Sequence, residues 1–365
     1  MSCVLFTSYP TTDGKQILEI QLNAERSLNA LSLEMIELIE PWLLAVQSDP
    51  RVVAVILTSA GEKAFCAGGD VVNLYHAIAA GDGASVGTDY FTREYRLDYL
   101  IHTYSKPIIC WGSGIVMGGG MGLMNGCSHR VVTQTSHLAM PEVTIGLYPD
   151  VGGSWFLNRM PGRTGLFLGL TGNPIYAADA LFLGLADRFV DADKYGQLVE
   201  SLQHTDWSAD ADLAVRRVLR QLEQQSEAVR RMHAPIQAHY DFIQRITDQD
   251  SIADLLSAMA KLQSDDPWIQ RSKRAITQGS PLSVHLIVEQ LKRTRHLSLS
   301  EVFAAELVLS TQCCMHTEFA EGVRALLVDK DGKPDWMFKS VESVDPKVVE
   351  QFFTSPWEHN PLTTL

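Results

Sequence analysis

The sequence predicts an α/β fold in which short buried strands alternate with helices. The chain has 365 residues, of which 46% are hydrophobic, so it is long and apolar enough to form a sizeable core. Apolar or alternating runs bounded by turn residues are typical of strands, and such runs occupy residues 17–22, 52–58, 106–111 and 130–133. Helix-like segments lie between them. Repetition of strand, turn and helix with short connections indicates the α/β class.

The helices are predicted from the spacing of apolar residues. The first runs from about residue 29 to residue 48, because apolar residues recur there at helical spacing: Met35, Ile36, Leu38, Ile39, Leu43 and Val46. A second helix is predicted at residues 71–79. A third is predicted at 89–103, after a looser segment rich in glycine at 81–87. A fourth is expected to start at three consecutive glycines, Gly118, Gly119 and Gly120.

The composition of the chain changes at about Tyr195. No glycine occurs between Gly196 and Gly279, and amphipathic stretches such as residues 214–223 predict helices. We therefore expect a catalytic core over residues 1–194 and a mainly helical C-terminal region over residues 195–365.

The overall charge limits the partners of the chain. Its formal net charge is −13, whereas nucleic acids and anionic membranes attract clustered Lys and Arg, so neither is expected as a partner. No apolar run reaches the roughly 18–20 residues that span a bilayer, and the N-terminus lacks the pattern of a secretory signal. The sequence thus predicts a cytoplasmic protein, or a mitochondrial matrix protein if it is a processed eukaryotic chain.

Several motifs with known chemistry are missing from the sequence. It contains no G-x-G-x-x-G and no G-x-x-x-x-G-K-[ST], which argues against a dinucleotide site and a phosphate loop. The histidines form no H-E-x-x-H and the six cysteines no Cys-x-x-Cys. No metal site is therefore expected, and the cysteines are predicted to be free thiols.

Two glycine-rich turns are candidates for an oxyanion site. One, at residues 63–70, reads Lys-Ala-Phe-Cys-Ala-Gly-Gly-Asp, and the other is the triple glycine. Glycines without Cβ atoms let a ligand lie directly on backbone N–H groups, and a helix N-terminus directs such donors at negative charge. Together the two turns could supply the two N–H donors that a thioester oxyanion needs.

Two carboxylates follow these turns. Glu142 and Asp150 each come directly after a proline, which stiffens the loop that holds them. A carboxylate beside an oxyanion site can act as a base or as a nucleophile, so the pairing suggests acyl chemistry. Taken alone, Glu142 could also be a capping or loop carboxylate, and Asp150 could be a turn residue in Pro-Asp-x-Gly.

Taken together, these motifs resemble the crotonase (enoyl-CoA hydratase/isomerase) superfamily. The matching segments, in the same order and at similar separations, are residues 65–70, 114–120 and 141–142. The resemblance implies a crotonase-type superhelix of ββα turns with a helical C-terminal region, and an acyl-CoA substrate. It implies no cofactor, because coenzyme A is part of the substrate. It also allows a homo-oligomer, and it makes residues 195–278 an apparent insertion relative to the hydratases.

One position departs from the hydratases of the superfamily. Those enzymes carry a second glutamate two residues after the glycine triplet, where it helps to add water across a double bond; here that residue is Gly122. Where hydratases usually have Pro-Gly, this chain has Pro-Asp-Val-Gly-Gly at residues 149–153. That signature resembles the 3-hydroxyisobutyryl-CoA hydrolases, the thioesterases of valine catabolism. The resemblance therefore implies hydrolysis of a β-hydroxyacyl-CoA thioester. The alternatives are an enoyl-CoA hydratase or isomerase and a non-catalytic acyl-CoA-binding protein.

The resemblance also assigns roles to individual residues. It implies that the N–H groups of Gly69 and Gly119 form the oxyanion hole, and that Glu142 either attacks the thioester carbonyl or deprotonates a water, with both mechanisms open. Asp150 is expected to hold the β-hydroxyl. The expected substrate-binding residues are Arg26, Leu28, Ala67, Glu94, Gly119, Glu142 and Asp150, although a lone glutamate such as Glu94 on an amphipathic helix is usually solvated. Arg26, Lys63 and Lys106 are candidate phosphate contacts and are equally well explained as ordinary surface charges.

Overall fold

The computed structural model describes residues 2–226 and 232–365, and the chain forms two compact units built from non-contiguous segments. Unit 1 comprises Met1–Gly69, Leu97–Leu138 and Ile175–Ala234; unit 2 comprises Asp70–Arg96, Ala139–Pro174 and Pro235–Leu365. These units do not follow the expected boundary at residue 194, because segments far apart in sequence pack together. The core at 1–194 and the insertion at 195–278 stay predictions.

Unit 1 contains a six-stranded sheet. Its strands, in spatial order, are β1 (Val4–Pro10), β2 (Gln16–Leu22), β3 (Val52–Ser59), β5 (Ile108–Gly112), β7 (His129–Val132) and β10 (Arg188–Phe189). The first pair is antiparallel and every following pair is parallel. The strands predicted from apolar runs are confirmed, whereas β1 was not expected.

A smaller sheet contains the strands that lead into the glycine turns. Its order is β4 (Ala64–Cys66), β6 (Ile115–Met117), β8 (His137–Ala139) and β9 (Ile175–Tyr176). β4 and β6 are parallel neighbours. Parallel strands end at the same edge of a sheet, so the two glycine turns start side by side in unit 1.

The helices of unit 1 pack with its strands, and one of them, α4, begins within the triple glycine. They are α1 (Leu33–Gln47), α4 (Gly119–Gly126), α7 (Ala177–Phe182), α8 (Tyr195–Gln203) and α9 (Ala211–Gln224). Ser32 caps α1 by accepting the N–H of Met35, which places the helix start later than residue 29. Apolar residues of α8 and α9 share one buried core with strand residues such as Ile56 and Val131.

Unit 2 is mainly helical, as predicted for the C-terminal region. Its helices are α2 (Val71–Ala79), α3 (Gly83–His102) as far as Arg96, α5 (Gly153–Leu157), α6 (Thr164–Thr171), α10 (Pro235–Ala238), α11 (Tyr240–Ile246), α12 (Ile252–Lys261), α13 (Pro267–Gln278), α14 (Pro281–Thr294), α15 (Leu299–Met315), α16 (Thr317–Val323) and α17 (Pro346–Phe352). None of the helices in the described part of the chain has the length and apolar character needed to cross a bilayer.

The start of α3 corrects the sequence prediction. Residues 81–87 were expected to be a loose segment, but the helix already begins at Gly83. A Cβ atom on Gly83 would lie 2.3 Å from the Cys314 carbonyl oxygen, and one on Gly87 would lie 2.7 Å from the Cys314 Sγ. The glycines are needed for close helix packing in unit 2, and this packing outweighs their low helix propensity.

Candidate active site

Three buried carboxylates form a cluster in unit 2, here called the carboxylate cluster. Its members are Glu94 on α3, Glu142 in a 3₁₀ turn and Asp150 in the loop before α5, and their exposed fractions are 2%, 5% and 4%. The Asp150 charge raises the pKa values of both Glu94 and Glu142, so the three groups lie close enough to interact. The structure therefore brings together the three acids that the sequence singled out.

Glu142 is held by its backbone while its carboxyl group is left available. It begins the 3₁₀ turn Glu142–Ile145, directly after Pro141, and its carbonyl oxygen accepts the N–H of Leu147 at 3.1 Å. Within the described residues its Oε2 has no hydrogen-bond partner. Burial, and then the Asp150 charge, raise its pKa well above the usual value. A buried carboxyl group without a partner is typical of a reactive group rather than a structural one.

The loop that carries Asp150 has an unusual backbone. Val151 has φ 52° and Gly152 has φ 80°, and the left-handed region is a genuine outlier for a β-branched residue. Such strain costs on the order of 1–3 kcal/mol and persists only where surrounding contacts impose it. The Asp150 carbonyl oxygen accepts the N–H of Gly153 at 2.6 Å, which closes the turn and starts α5.

Asp150 is fixed by a tyrosine. The Tyr95 hydroxyl donates to the Asp150 Oδ2 at 2.6 Å. Burial, and then the Asp150 charge, raise the Tyr95 pKa well above its usual value, so the hydroxyl stays protonated and remains a donor. Burial raises the pKa of Asp150 to about 6, even though the Tyr95 bond acts in the opposite direction.

Glu94 is buried rather than solvated, which corrects the expectation for a lone glutamate on an amphipathic helix. Its carboxyl group receives a hydrogen bond from the Tyr90 side chain, while its Oε1 has no hydrogen-bond partner within the described part of the chain. Burial, followed by the Asp150 charge, raises its pKa well above the usual value. The two glutamates of the cluster therefore share the same causes of a raised pKa, which are burial and then the Asp150 charge.

A fourth buried acid, Glu306 on α15, holds the loop after Asp150. Its Oε2 accepts the N–H of Gly152 at 2.7 Å and its Oε1 accepts the N–H of Ser154 at 2.9 Å. A carboxylate at a helix N-terminus satisfies donors that have no acceptor within the helix. Burial, and then the Asp150 charge, raise the pKa of Glu306 to about 8.

The predicted oxyanion donors lie in unit 1. Gly119 is buried at the start of α4, where the first N–H groups of a helix have no acceptor within the helix. The neighbouring segment is held through Gly68, whose carbonyl oxygen accepts the N–H of Leu31 at 2.8 Å. The Gly69 N–H takes no part in that bond. A Cβ atom on Gly120 would lie 2.3 Å from the Cys66 carbonyl oxygen. The two turns are thus packed against each other, and the triplet cannot take a larger residue at Gly120.

The other predicted substrate-binding residues are also in unit 1. The Ala67 N–H donates to the Leu28 carbonyl oxygen at 3.1 Å, so these two residues are neighbours. Arg26 is exposed in the preceding 3₁₀ turn. Leu28 and Lys63 help to line a cavity of about 370 Å³. Lys106, by contrast, donates to the carbonyl oxygens of Val46 and Asp49, so its charge closes the end of α1 instead of facing a ligand.

The sequence did not predict the residues around the carboxylate cluster, which are Tyr95, Tyr148 and Glu306. Tyr95 and Tyr148 stand next to or near predicted acids in the sequence, and Glu306 is an isolated charge in the apolar run of α15. A buried charge on such a helix is a usable signal. Among residues 2–226 and 232–365, no group of three or more His, Cys, Asp or Glu side chains could hold a metal ion. The six cysteines are free thiols.

Comparison with known proteins places the chain in a family. The model of the enoyl-CoA hydratase/isomerase family matches residues 17–353. The chain belongs to this family. The predicted membership in the crotonase superfamily and the predicted fold class are thereby confirmed.

The relatives within the enoyl-CoA hydratase/isomerase family have different names. The chain is 37% identical to the mitochondrial 3-hydroxyisobutyryl-CoA hydrolase of Gallus gallus, over 94% of this chain and 87% of that protein. It is 35% identical to the 3-hydroxyisobutyryl-CoA hydrolase 1 of Arabidopsis thaliana, over 92% of this chain and 88% of the other. Among solved structures, an enoyl-CoA hydratase from Rhodobacter sphaeroides is 32% identical with a TM-score of 0.85, covering 97% of this chain and 98% of the other.

The printed names of these relatives include both hydrolases and a hydratase, and α4 bears on the difference. α4 consists of residues 119–126 and contains no acidic residue, since Gly122 stands where the hydratases have their second glutamate. The second carboxylate of this chain lies instead on the loop before α5, as Asp150. A hydratase needs a pair of groups that both handle the added water, and half of that pair is missing from α4.

Proposed function

We propose that this enzyme hydrolyses the thioester of a β-hydroxyacyl-CoA, with 3-hydroxyisobutyryl-CoA as its substrate in valine catabolism. The observation that carries the proposal is the buried pair of Glu142 and Asp150 in one unit, together with Gly122 in place of the second hydratase glutamate. 3-Hydroxypropionyl-CoA is a second candidate substrate, because it carries a hydroxyl at the same position.

Each predicted site residue has its own role in the proposed reaction. The N–H groups of Gly69 and Gly119 stabilise the oxyanion that forms when the thioester carbonyl is attacked. Glu142 either attacks that carbonyl to form a mixed anhydride or deprotonates the attacking water, and a positioned carboxylate is able to do both. Asp150 accepts a hydrogen bond from the β-hydroxyl, using the oxygen that Tyr95 does not occupy. The acyl chain is thereby oriented for attack.

The coenzyme A part of the substrate is assigned to unit 1. Leu28 accepts the N–H of Ala67 in the first glycine turn, and it lines the cavity of about 370 Å³ together with Lys63. We propose no separate cofactor, because coenzyme A enters with the substrate and carboxylates supply the reacting groups. We also propose a cytoplasmic or mitochondrial matrix location, and the names of relatives that are mitochondrial support the second. A homo-oligomeric state is a further part of the proposal.

Release of free thiol tests the proposal. The wild-type protein should release coenzyme A from 3-hydroxyisobutyryl-CoA, and Glu142→Gln should not. An enoyl-CoA offered to the same protein should keep the ultraviolet absorbance of its double bond. Loss of that absorbance without thiol release would instead identify a hydratase, and binding of acyl-CoA with neither change would identify a non-catalytic member of the fold.

A further inference from the structure

Two residues of α15 contact the surroundings of Asp150 from one side of the helix. Glu306 and Ser310 are one turn apart and therefore share a face. The Ser310 Oγ lies 2.6 Å from the Tyr95 hydroxyl oxygen and 2.9 Å from that of Tyr148. The Tyr148 hydroxyl also donates to the Glu306 carbonyl oxygen at 2.8 Å. Asp150, Tyr95, Ser310, Tyr148 and Glu306 thus form one continuous chain, here called the hydroxyl chain.

The two ends of the hydroxyl chain fix the direction of its hydrogen bonds. The Asp150 Oδ2 accepts from Tyr95, and a backbone carbonyl can only accept. Tyr95 therefore gives its proton to Asp150, whereas the single Tyr148 proton faces both the Glu306 carbonyl oxygen at 2.8 Å and the Ser310 Oγ at 2.9 Å. The remaining proton belongs to Ser310, which donates it to Tyr95 over the shorter distance of 2.6 Å. A donated hydrogen bond polarises the Tyr95 hydroxyl and strengthens the bond it makes to Asp150.

The Glu306 carboxyl group acts on Asp150 from the other side, through the backbone. It accepts the N–H groups of Gly152 and Ser154, which follow Asp150 and the strained Val151. A left-handed valine persists only while neighbouring contacts impose it. Loss of one of these two bonds would let the loop relax, and Asp150 would move with it.

We propose that Glu306 and Ser310 are positioning residues for the hydroxyl selectivity of this enzyme: they hold Asp150 so that its free oxygen receives the β-hydroxyl of the substrate. The inference rests on the proposed function, since it assumes that Asp150 binds that hydroxyl. Neither residue reaches the reacting atoms itself. Each acts through Asp150, one by way of Tyr95 and the other by way of the loop.

The experiment measures selectivity for the β-hydroxyl rather than activity alone. The quantity is kcat/KM for 3-hydroxyisobutyryl-CoA divided by kcat/KM for isobutyryl-CoA, which lacks the hydroxyl. Ser310→Ala should lower this ratio about 5-fold, the usual effect of one weakened hydrogen bond. Glu306→Gln should lower it about 10-fold or more, because its amide group would face a backbone donor that needs an acceptor. Ser310→Thr keeps the hydroxyl and should restore most of the ratio.

Matched controls come from the same unit. Ser283 on α14 is fully buried like Ser310, but its Oγ has no partner among the described residues. Glu318 is a buried acid whose carboxyl group accepts bonds from Ser280 and from the Met337 N–H, and not from the N–H groups that follow Asp150. Ser283→Ala and Glu318→Gln should leave the ratio unchanged. An equal fall for both substrates in the α15 variants, matching a fall in thermal stability, would show a merely structural role and overturn the inference.

A binding measurement separates this inference from the proposed function. Dissociation constants for the same two acyl-CoAs are measured in a Glu142→Gln background by calorimetry, with and without Ser310→Ala or Glu306→Gln. If wild type releases no coenzyme A, the proposed hydrolysis fails, and the binding ratio still decides the role of α15. An unchanged binding ratio in both α15 variants would overturn the inference even if hydrolysis is confirmed.

Discussion

Replacing Asp150 by asparagine should stabilise the protein above pH 6 while impairing its chemistry. The Asp150 side chain is 4% exposed, and burial raises its pKa from 3.8 to about 6. An asparagine of the same shape cannot ionise, and its Oδ1 can still accept the hydrogen bond from Tyr95. The substitution therefore removes a buried charge while it keeps the main contact.

The size of the effect follows from the change in pKa. A rise of about 2 units corresponds to about 3 kcal/mol, at 1.36 kcal/mol per unit. In the folded state Asp150 keeps its proton to a higher pH than in the unfolded state, so its contribution to stability is fully present below about pH 4 and is lost by about pH 6. Above pH 6 the wild type carries the full free-energy cost of the buried Asp150 charge, whereas Asp150→Asn has no such charge. The Asp150 charge also raises the pKa values of Glu94 and Glu142, and its removal favours the variant further.

Scanning calorimetry at pH 4.5 and pH 8 provides the test. The Tm of Asp150→Asn minus that of wild type should be larger at pH 8, by on the order of 5 °C, since a change of 1 kcal/mol shifts Tm by a few degrees or less in a chain of this size. Any cost of burying the asparagine amide is the same at both pH values and cancels. Asp13 is an exposed aspartate whose pKa is lowered by a hydrogen bond from Thr11, so it is ionised at both pH values and Asp13→Asn should show nearly the same Tm difference at each. An equal Tm difference at both pH values for Asp150→Asn would refute the reasoning.

Three further predictions concern the reaction. Gly119→Val should lower kcat for thioester hydrolysis about 100-fold or more by displacing the thioester from its N–H donors; full activity in a folded variant, checked by circular dichroism, would exclude Gly119 from the oxyanion hole. Glu142→Gln should abolish release of coenzyme A while acyl-CoA binding, measured by calorimetry, changes little, and turnover near the wild-type rate would exclude Glu142 as the catalytic carboxylate. Asp150→Gly should erase the preference for 3-hydroxyisobutyryl-CoA over isobutyryl-CoA, which we expect to be roughly 2 kcal/mol or about 30-fold in kcat/KM; equal preference in both proteins would remove Asp150 from the site.

The parts of the fold that the sequence predicted are those set by local patterns. Strand β3 and helix α2 follow directly from an apolar run and from helical spacing, and their ends agree closely with the expectation. The start of α3 was missed for a reason that no local pattern contains. Gly83 looks like a helix breaker, yet it is required because the Cys314 carbonyl oxygen packs against it from far along the chain.

The candidate site was likewise predictable where short local motifs mark it, and not where distant segments pack together. Glu142 and Asp150 stand in short motifs, so the sequence could single them out. Tyr95 and Ser310 lie 215 positions apart in the chain, and the contact between them depends on how α3 and α15 pack in unit 2. The burial of Glu94 was missed for a related reason. A glutamate on a helix is normally solvated, and only the packing of the unit reveals that this one is not.

The environments of the two catalytic-site acids differ in a way that suits different roles. Asp150 receives a short hydrogen bond from a tyrosine that stays protonated, and such a bond favours the ionised form. A carboxylate held as an anion is a hydrogen-bond acceptor, suited to a substrate hydroxyl and unsuited to donating a proton. Glu142 has an oxygen without a hydrogen-bond partner in the described residues, so that oxygen remains available to a reacting group. The proposed hydrolysis needs these two roles: one carboxyl group that holds the substrate hydroxyl, and one that attacks the thioester or activates a water.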